Sequence, residues 1–476
     1  MSELKTLMRS ALVLDAPMPE TFEPGTLALD SQPCLDSLRF IQPDLAGFLG
    51  RRVLMLQGPM GPFFSQLAVD LTRAGAVVLK VDFNGGDRLF SRSRHFHKRL
   101  DYRGTLTDWP ETFTALVCEH RIDTILMFGD CRPVHQSVIQ CAKALGLEVG
   151  VFEEGYLRPD YITIERDGVN KRSSMPRDPS FYRALGAPVA EPTTPIGSTY
   201  RKAALWGMLY YLAASLGHRR YRRYQHHRPL GWRESRFWVR TVWRKLKYLV
   251  LERHLATRFI SAEPPRFFLV ALQTSGDAQV RVHSPFGTVE RFIAHVIRDF
   301  AAHAPADVQL VIKHHPLDRG FTDHGRLIRE LAQALGVTER CHYLHDQHLP
   351  SLLRRAVGVV TINSTVGLSA IGLGLPVKVC GESVYDIEGL VYRGPLARFW
   401  VEAPAHPPDC KLWTAYHHAL IATSQFNGSF YKRHPAATFL SGVFWGKRRP
   451  VVDSLREACR SPPKASSSAA WRQSAD

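Results

Sequence analysis

The chain has 476 residues, enough on a prior of roughly 100–200 residues per domain for two to four domains with real hydrophobic cores. Apolar residues make up 45%, charged residues 22%, and Gly (34) and Pro (31) are at ordinary usage, which excludes disordered, fibrous and mini-protein classes. Lys+Arg 61 against Asp+Glu 44 leaves a formal charge of +17, a balance that favours phosphate-bearing partners: nucleotides, nucleic acid or the anionic face of a membrane.

In chain order, residues 1–48 read as an irregular N-terminal segment with five prolines before residue 45. Its opening, MSELKTLMRSALVLDAP, has a short apolar run broken by Asp15 and no small-residue cleavage pattern, so no signal peptide is expected. Residues 49–195 alternate aliphatic runs with helical patterns, with strands expected at Val53–Gln57, Ala76–Phe83, Thr124–Gly129 and Glu148–Glu153 and helices at Phe64–Ala74 and Pro133–Leu145. The crossovers are long enough for parallel strands.

Residues 196–262 break this rhythm. Ala203 to Gly217 is the longest apolar stretch but falls short of the roughly 20 residues that cross a bilayer. From Arg219 to Lys247 there are eleven Lys/Arg and one acid, Glu234, interleaved with Tyr and Trp. A helix here would carry Phe237, Val239, Val242, Trp243 and Leu246 on much of one face and Arg236, Arg240, Arg244 and Lys247 as a basic stripe. Such a helix suits an anionic headgroup region; the alternatives are a solvated surface or an RNA contact, for which no RRM, KH or zinc pattern is present.

A second βα series follows over 263–400, with strands at Phe267–Gln273, Val308–Lys313, Cys341–Leu344, Val357–Ile362 and Pro376–Cys380 and helices around 288–303, 325–335 and 349–356. The fold class is therefore α/β, two Rossmann-like domains facing across a cleft, with ligands at the carboxyl ends of the strands. Residues 401–460 read as a C-terminal helical segment and 461–476 as a disordered tail. Eight cysteines with no C-x-x-C pair or Cys/His cluster point to a reducing cytoplasm and to no metal site.

Five strand-end motifs can carry chemistry. Gln57, Gly58 and Gly61 form a Gly-rich turn after the first strand, matching neither G-x-G-x-x-G nor a Walker pattern; it is either a ligand-approaching loop or a tight βα turn. Glu153 and Glu154 end a strand before Gly155, and strand alternation requires only one of them to face the cleft. Thr274-Ser275-Gly276-Asp277 ends the first strand of the second series, placing Asp277 in a loop that can reach the cleft or simply turn. Lys313-His314-His315-Pro316 puts a cation and two imidazoles at a strand end, with Pro316 fixing the exit. Asn363-Ser364-Thr365 precedes a small-residue helix and reads as an anion-binding N-cap or a plain one.

QGPMGPFF, FEEGYLRPDYIT, KHHP and TINSTVGLSAIGLGLPVKVCG, in this order and spacing, resemble the capsule polysaccharide biosynthesis family of KpsS/LipB-type Kdo (3-deoxy-manno-octulosonate) transferases over roughly residues 50–400. The resemblance implies a GT-B glycosyltransferase that moves Kdo from CMP-β-Kdo, with retention, to a phosphatidylglycerol-type lipid acceptor at the inner face of the inner membrane of Gram-negative bacteria. Under it Glu154, in preference to Glu153, is the catalytic carboxylate and Asp277 the candidate nucleophile. Lys313, His315, Pro316, Asn363, Ser364 and Thr365 hold the CMP phosphate. It implies no cofactor, no metal and no nucleic acid. Arg219, Arg220, Arg222, Arg223, Arg240 and Arg244 form the membrane or acceptor patch, and a second Kdo transferase and the capsule export machinery are implied partners. The competing reading is a non-catalytic capsule export or assembly component.

Overall fold

The computed structural model describes residues 38–185, 193–224, 233–276, 280, 284–345 and 347–445. The first half runs β1 (Arg52–Met55), α1 (Phe63–Arg73), β2 (Val77–Asp82), α2 (Gly85–Phe90), β3 (Lys98–Asp101), α3 (Trp109–His120), β4 (Thr124–Phe128), α4 (Pro133–Ala144), β5 (Glu148–Glu154), β6 (Tyr161–Arg166), α5 (Pro179–Ala184) and α6 (Tyr200–Leu216). The second runs α7 (Arg233–Leu251), α8 (Arg253–Ile260), β7 (Phe267–Ala271), α9 (Val289–His303), β8 (Gln309–Lys313), α10 (Gly325–Ala334), β9 (Cys341–Leu344), α11 (Leu349–Leu353), β10 (Gly358–Thr361), α12 (Val366–Gly372), β11 (Val377–Val379), α13 (Leu396–Glu402), α14 (Cys410–Thr423) and β12 (Gln425–Asn427).

The first sheet has the order β12-β6-β5-β4-β1-β2-β3 and the second β11-β10-β7-β8-β9. Strands β5, β4, β1, β2 and β3 are mutually parallel, as are all five of the second sheet. Every residue of β7 and β10 is buried, as expected of a parallel strand covered on both faces. The covering helices show the matching periodicity: α9 opens on a Thr288 cap, whose Oγ1 accepts the Arg291 amide at 3.3 Å, and buries Phe292, Ile293, Val296, Ile297 and Phe300. Two α/β halves of this kind, joined by a C-terminal return to the first, make the GT-B-like plan expected from the sequence.

All nine expected strands are present, with ends moved by a residue or two; β3, β6 and β12 are additional. The segment 401–460, expected to be helical, needs correction over its described part. After α14 the chain turns into β12, pairs antiparallel with β6, and closes the first sheet. Residues 40–48, placed in the irregular segment, contribute Phe40, Ile41, Leu45 and Phe48 to the core beneath β1 and β5. Residues 446–476, including the expected tail, lie outside the described residues.

The expected 196–262 insert is divided between the halves. Helix α6 belongs to the first: a Cβ on Gly85 would stand 2.1 Å from the Ala213 carbonyl oxygen, so only glycine lets α2 and α6 meet backbone to backbone. Helices α7 and α8 belong to the second, where Tyr248 stacks on His345 at 3.5 Å and Phe259 packs edge-on to Phe267.

Gln425 is fully buried and ties the two halves of the chain at one turn. Its Oε1 accepts the Tyr156 amide at 2.9 Å, and its Nε2 donates to Thr163 Oγ1 at 3.0 Å. Gln425→Ala should cost about 1–3 kcal/mol, because buried polar groups lose a partner without gaining water. The expected outcome is a lower thermal midpoint together with faster hydrogen exchange in the turn after β5; unchanged exchange there would show that β12 does not hold this turn.

Candidate functional site

Three adjacent strands of the second sheet, β10, β7 and β8, end in loops that are bonded to one another. The Asn363 amide donates to Gln273 Oε1 at 3.3 Å, tying the β10 loop to the β7 loop. Ser275 donates to Asp318 Oδ2 through its amide at 3.1 Å and its hydroxyl at 2.7 Å, tying the β7 loop to the β8 loop. Burial of the Asp318 carboxyl opposes its ionisation, but the hydrogen bonds from Thr322 and Ser275 prevail and hold it below the ordinary carboxylate range. Asp318 is thus an ionised anchor that fixes two loops.

The two imidazoles of KHHP have different placements. His314 points into the protein, where Tyr343 Oη and His314 Nδ1 lie 2.7 Å apart and burial pushes the ring down to about 3. His315 sits at the half-buried loop surface. Its Nδ1 accepts the Leu317 amide at 3.3 Å, which leaves the proton of the neutral ring on Nε2. Burial first, then the Arg158 and Lys313 cations, push His315 down to about 4, so the ring is a neutral donor at pH 7. The Lys313 ammonium is buried and donates to the His314 and His345 carbonyls, each at 3.4 Å. Pro316 starts the 3₁₀ turn that carries Asp318.

The β10 loop is also braced. Ser364 Oγ accepts the Val366 amide at 3.3 Å, the Ser364 carbonyl accepts the Tyr385 hydroxyl, and Thr365 is the residue before α12, with no side-chain cap bond. Asp277, the candidate nucleophile, lies outside the described residues, directly after the anchored Ser275-Gly276 turn.

From the first half, β5 presents its two acids on opposite faces. Glu153 Oε1 accepts the Glu154 amide at 3.0 Å, and burial pushes the carboxyl up to about 7, assisted by the neighbouring Glu154 and Asp130. Glu154 lies near the Tyr431 hydroxyl and, after burial, is the next cause that pushes that phenol up. Arg158, three residues past the turn, acts electrostatically on Glu153, Tyr431 and His315, and so places the acid turn of one half within range of the imidazole of the other. Arg158, Ser275, Asp318 and Tyr431 were not among the residues expected from sequence. Arg158 stood inside the quoted EEGYLRPD element and Asp318 two residues beyond the His-Pro pair, whereas nothing near Tyr431 marks it.

The other expected groups are placed differently. Gln57 is buried, and its Nε2 donates to Asp87 Oδ2 and Tyr210 Oη, each at 3.1 Å; it is a strut between β1 and α6 rather than a cleft group. Gly58 and Gly61 lie beside it. A Cβ on Gly58 would stand 2.7 Å from the Phe64 ring, and Gly61 has φ +127 against Trp206, so packing and backbone conformation require glycine at both positions, which also line a small cavity with Asp87 and Tyr210.

Arg240 and Arg244 are also turned inward, correcting their place in the surface patch. Arg240 donates to the Gly320 and Phe321 carbonyls, and Arg244 to those of Arg319 and Thr322, each at 2.8 Å. They clamp the loop after β8 to α7, because a guanidinium satisfies several carbonyls that a loop leaves unpaired. Arg220 bonds Asp101, and Arg223 lies beside Asp108; Arg219 and Arg222 are exposed.

The Glu153 carboxyl makes a pH prediction. A group raised from 4.5 to about 7 on folding holds its proton more tightly in the folded chain, so its contribution to stability falls as pH rises through that window. Glu153→Gln removes the fall. The variant should gain thermal midpoint over wild type at about pH 8 and show little difference at about pH 4.5; an equal difference at both would place this carboxyl in an ordinary solvated setting.

The capsule polysaccharide biosynthesis protein family model matches residues 123–431. The chain is 43% identical over 388 residues to the capsule polysaccharide export protein KpsS of Escherichia coli, covering 80% of this chain and 97% of that protein. It is 38% identical over 387 residues to the capsule polysaccharide modification protein LipB of Neisseria meningitidis serogroup B, covering 80% and 92%. Among solved structures, the Thermosulfurimonas dismutans KpsC β-Kdo 2,7 transferase aligns over 80% of this chain and 93% of its own at 15% identity with a TM-score of 0.38, too distant a likeness to carry a functional argument. On the extent and identity of the sequence matches, the chain belongs to the capsule polysaccharide biosynthesis family, together with KpsS and LipB.

Proposed function

We propose that this protein is a retaining glycosyltransferase that moves Kdo from CMP-β-Kdo to a phosphatidylglycerol-type lipid at the inner face of the inner membrane, priming the capsule linker. The support for the reading is that Arg158, at the acid turn of one half, lies within electrostatic range of both Glu153 and His315 of the other half, whose three strand-end loops are anchored to one another. Carboxylates opposite a fixed neutral donor suit the transfer of a sugar from a phosphate leaving group.

In this reading the His315 Nε2–H and the β10 loop residues Asn363, Ser364 and Thr365 receive the CMP phosphate, and Lys313 adds positive potential from below. Asp277 attacks the anomeric carbon as its bond to the CMP oxygen breaks, giving a glycosyl-enzyme ester and free CMP. The acceptor hydroxyl then loses its proton to Glu154 and displaces Asp277, so two inversions give retention. The reading assigns no role to a metal or cofactor. A second assignment of the base is Glu153, whose carboxyl burial pushes up to about 7, the range that suits a general base.

The test is incubation of the purified chain with CMP-Kdo, generated in situ, and a fluorescent phosphatidylglycerol-type acceptor, with the product read by mass. A gain of one or more Kdo units is expected, and no gain with donor and presentation verified would favour the non-catalytic assembly reading. Glu154→Gln should lower kcat by about 10²–10⁴-fold, the span of general-base catalysis. If Glu153→Gln gives that loss and Glu154→Gln does not, the base is Glu153. His315→Ala should lose about a hundredfold or more in turnover, as for a removed donor to developing charge.

A further inference from the structure

Helix α6 is apolar on both of its faces, and only one is covered. Its inner face buries Gly207, Tyr210, Tyr211 and Ala214 against α2 and the β1 loop. Its outer face leaves Leu205 49%, Met208 49%, Leu212 57% and Leu216 78% exposed. These four recur at intervals of three or four residues and so form one continuous stripe along the helix. From Leu205 to Leu216 the stripe runs roughly 17 Å along the helix. Scattered exposed leucines are ordinary on a protein surface, but an aligned apolar stripe marks a contact surface.

The charges around the stripe indicate what it contacts. Arg201 and Lys202 are exposed at its start, and Arg219 and Arg222 just beyond its end. From Arg201 to Tyr224 there is no acidic residue. Of these cations' neighbours, Arg220 is paired with Asp101, which Arg88 and Arg103 also share, and Arg223 lies near Asp108, while Arg201, Lys202, Arg219 and Arg222 are exposed, so cations remain at both ends of the stripe. An apolar line with cations at each end matches a leaflet lying parallel to the helix, acyl chains beneath the stripe and anionic headgroups beside its ends. A second copy of this chain would instead have to set these cations against each other about a two-fold axis.

We propose that the outer face of α6 is the seat on which the protein lies on an anionic lipid surface, with Leu205, Met208, Leu212 and Leu216 entering the headgroup boundary. No described helix is long and apolar enough to cross a membrane, so this contact lies in the interface plane. The seat rests on the lipid-acceptor reading for its purpose, not for its existence. It also relocates the membrane contact from Arg240 and Arg244, which face inward, to the preceding helix.

The experiment is flotation of the full chain with phosphatidylglycerol/phosphatidylcholine vesicles against phosphatidylcholine alone. Wild type should float with the anionic vesicles and be released by high salt. Leu205→Ser/Met208→Ser/Leu212→Ser should lower that partition about tenfold or more, since the stripe supplies the buried apolar area. All three side chains are exposed, so the thermal midpoint should stay at the wild-type value. Arg201→Gln/Lys202→Gln/Arg219→Gln/Arg222→Gln should abolish the preference for anionic vesicles. Wild-type flotation by the serine variant, absence of flotation by wild type, or a solution dimer that the serine variant dissociates would each overturn the seat. Helix α7 also leaves Leu246 and Val250 exposed; loss of flotation in Leu246→Ser/Val250→Ser with retention in the α6 variant would overturn the assignment to α6. Transfer to a water-soluble short-chain acceptor should be unaffected in the α6 variant. Failure of that transfer in wild type, with flotation intact, would count against the transferase reading and not against the seat.

Discussion

The architecture of the site depends on one return of the chain. After building the second sheet, the chain runs through α14 and adds β12 to the far edge of the first sheet, antiparallel to β6. Three residues of strand are a weak element, and pairing alone would hold them poorly. Side chains supply the rest. Gln425 accepts the amides at the acid turn, Arg39 gives two bonds to the Ala422 carbonyl, and Asp70 on α1 accepts the Leu440 and Ser441 amides. Tyr182 and Tyr416 pack edge to face in a core shared by α5, α14 and the second sheet. Because the acid turn is tied to the element that comes back from the other half, the position of Glu153 and Glu154 relative to His315 is set by the crossover rather than by either sheet alone.

The electrostatics of the cleft follow from burial more than from pairing. Desolvation is the largest cause for Glu153, whose carboxyl rises, and for His315, whose ring falls; both shifts favour the uncharged form. Both groups are kept neutral or nearly so in the free protein, and the Arg158 cation acts on each. The buried Lys313 contributes field without direct exposure, because its ammonium is held by two strand-end carbonyls.

Much of this was legible in the sequence, and the failures have physical causes. Buried parallel strands are continuous aliphatic runs, so β1, β2, β4, β5 and the whole second sheet could be read directly. The missed strands are those whose pattern is not their own. Lys98–Asp101 is polar and partly exposed at an edge, Gln425–Asn427 is three residues long, and Tyr161–Arg166 follows so closely on the acid turn that it read as part of a motif. Among the residues around these strand ends, the motifs were legible because they use residue types uncommon in a tight turn. Tyr431 and Gln425 were not, because they reach the site through long-range topology that no local spacing encodes.

The basic excess was the least transferable signal. A charge of +17 reads as a demand for anionic partners, yet many of its arginines are spent inside the fold. Arg39, Arg244 and Arg340 each make two or more bonds to backbone carbonyls, at the crossover, the loop after β8 and the end of α9 respectively. Guanidinium suits this work because it spans several acceptors while its stem packs on apolar or aromatic surface, as Arg340 does over Phe300. Net charge therefore overstates the attractive surface, and the informative quantity is which cations remain exposed, without an acid beside them, next to uncovered apolar area. By that criterion the basic-aromatic region divides: Arg240 and Arg244 of α7 are structural, and the ends of α6 keep the charge that is free to meet a partner.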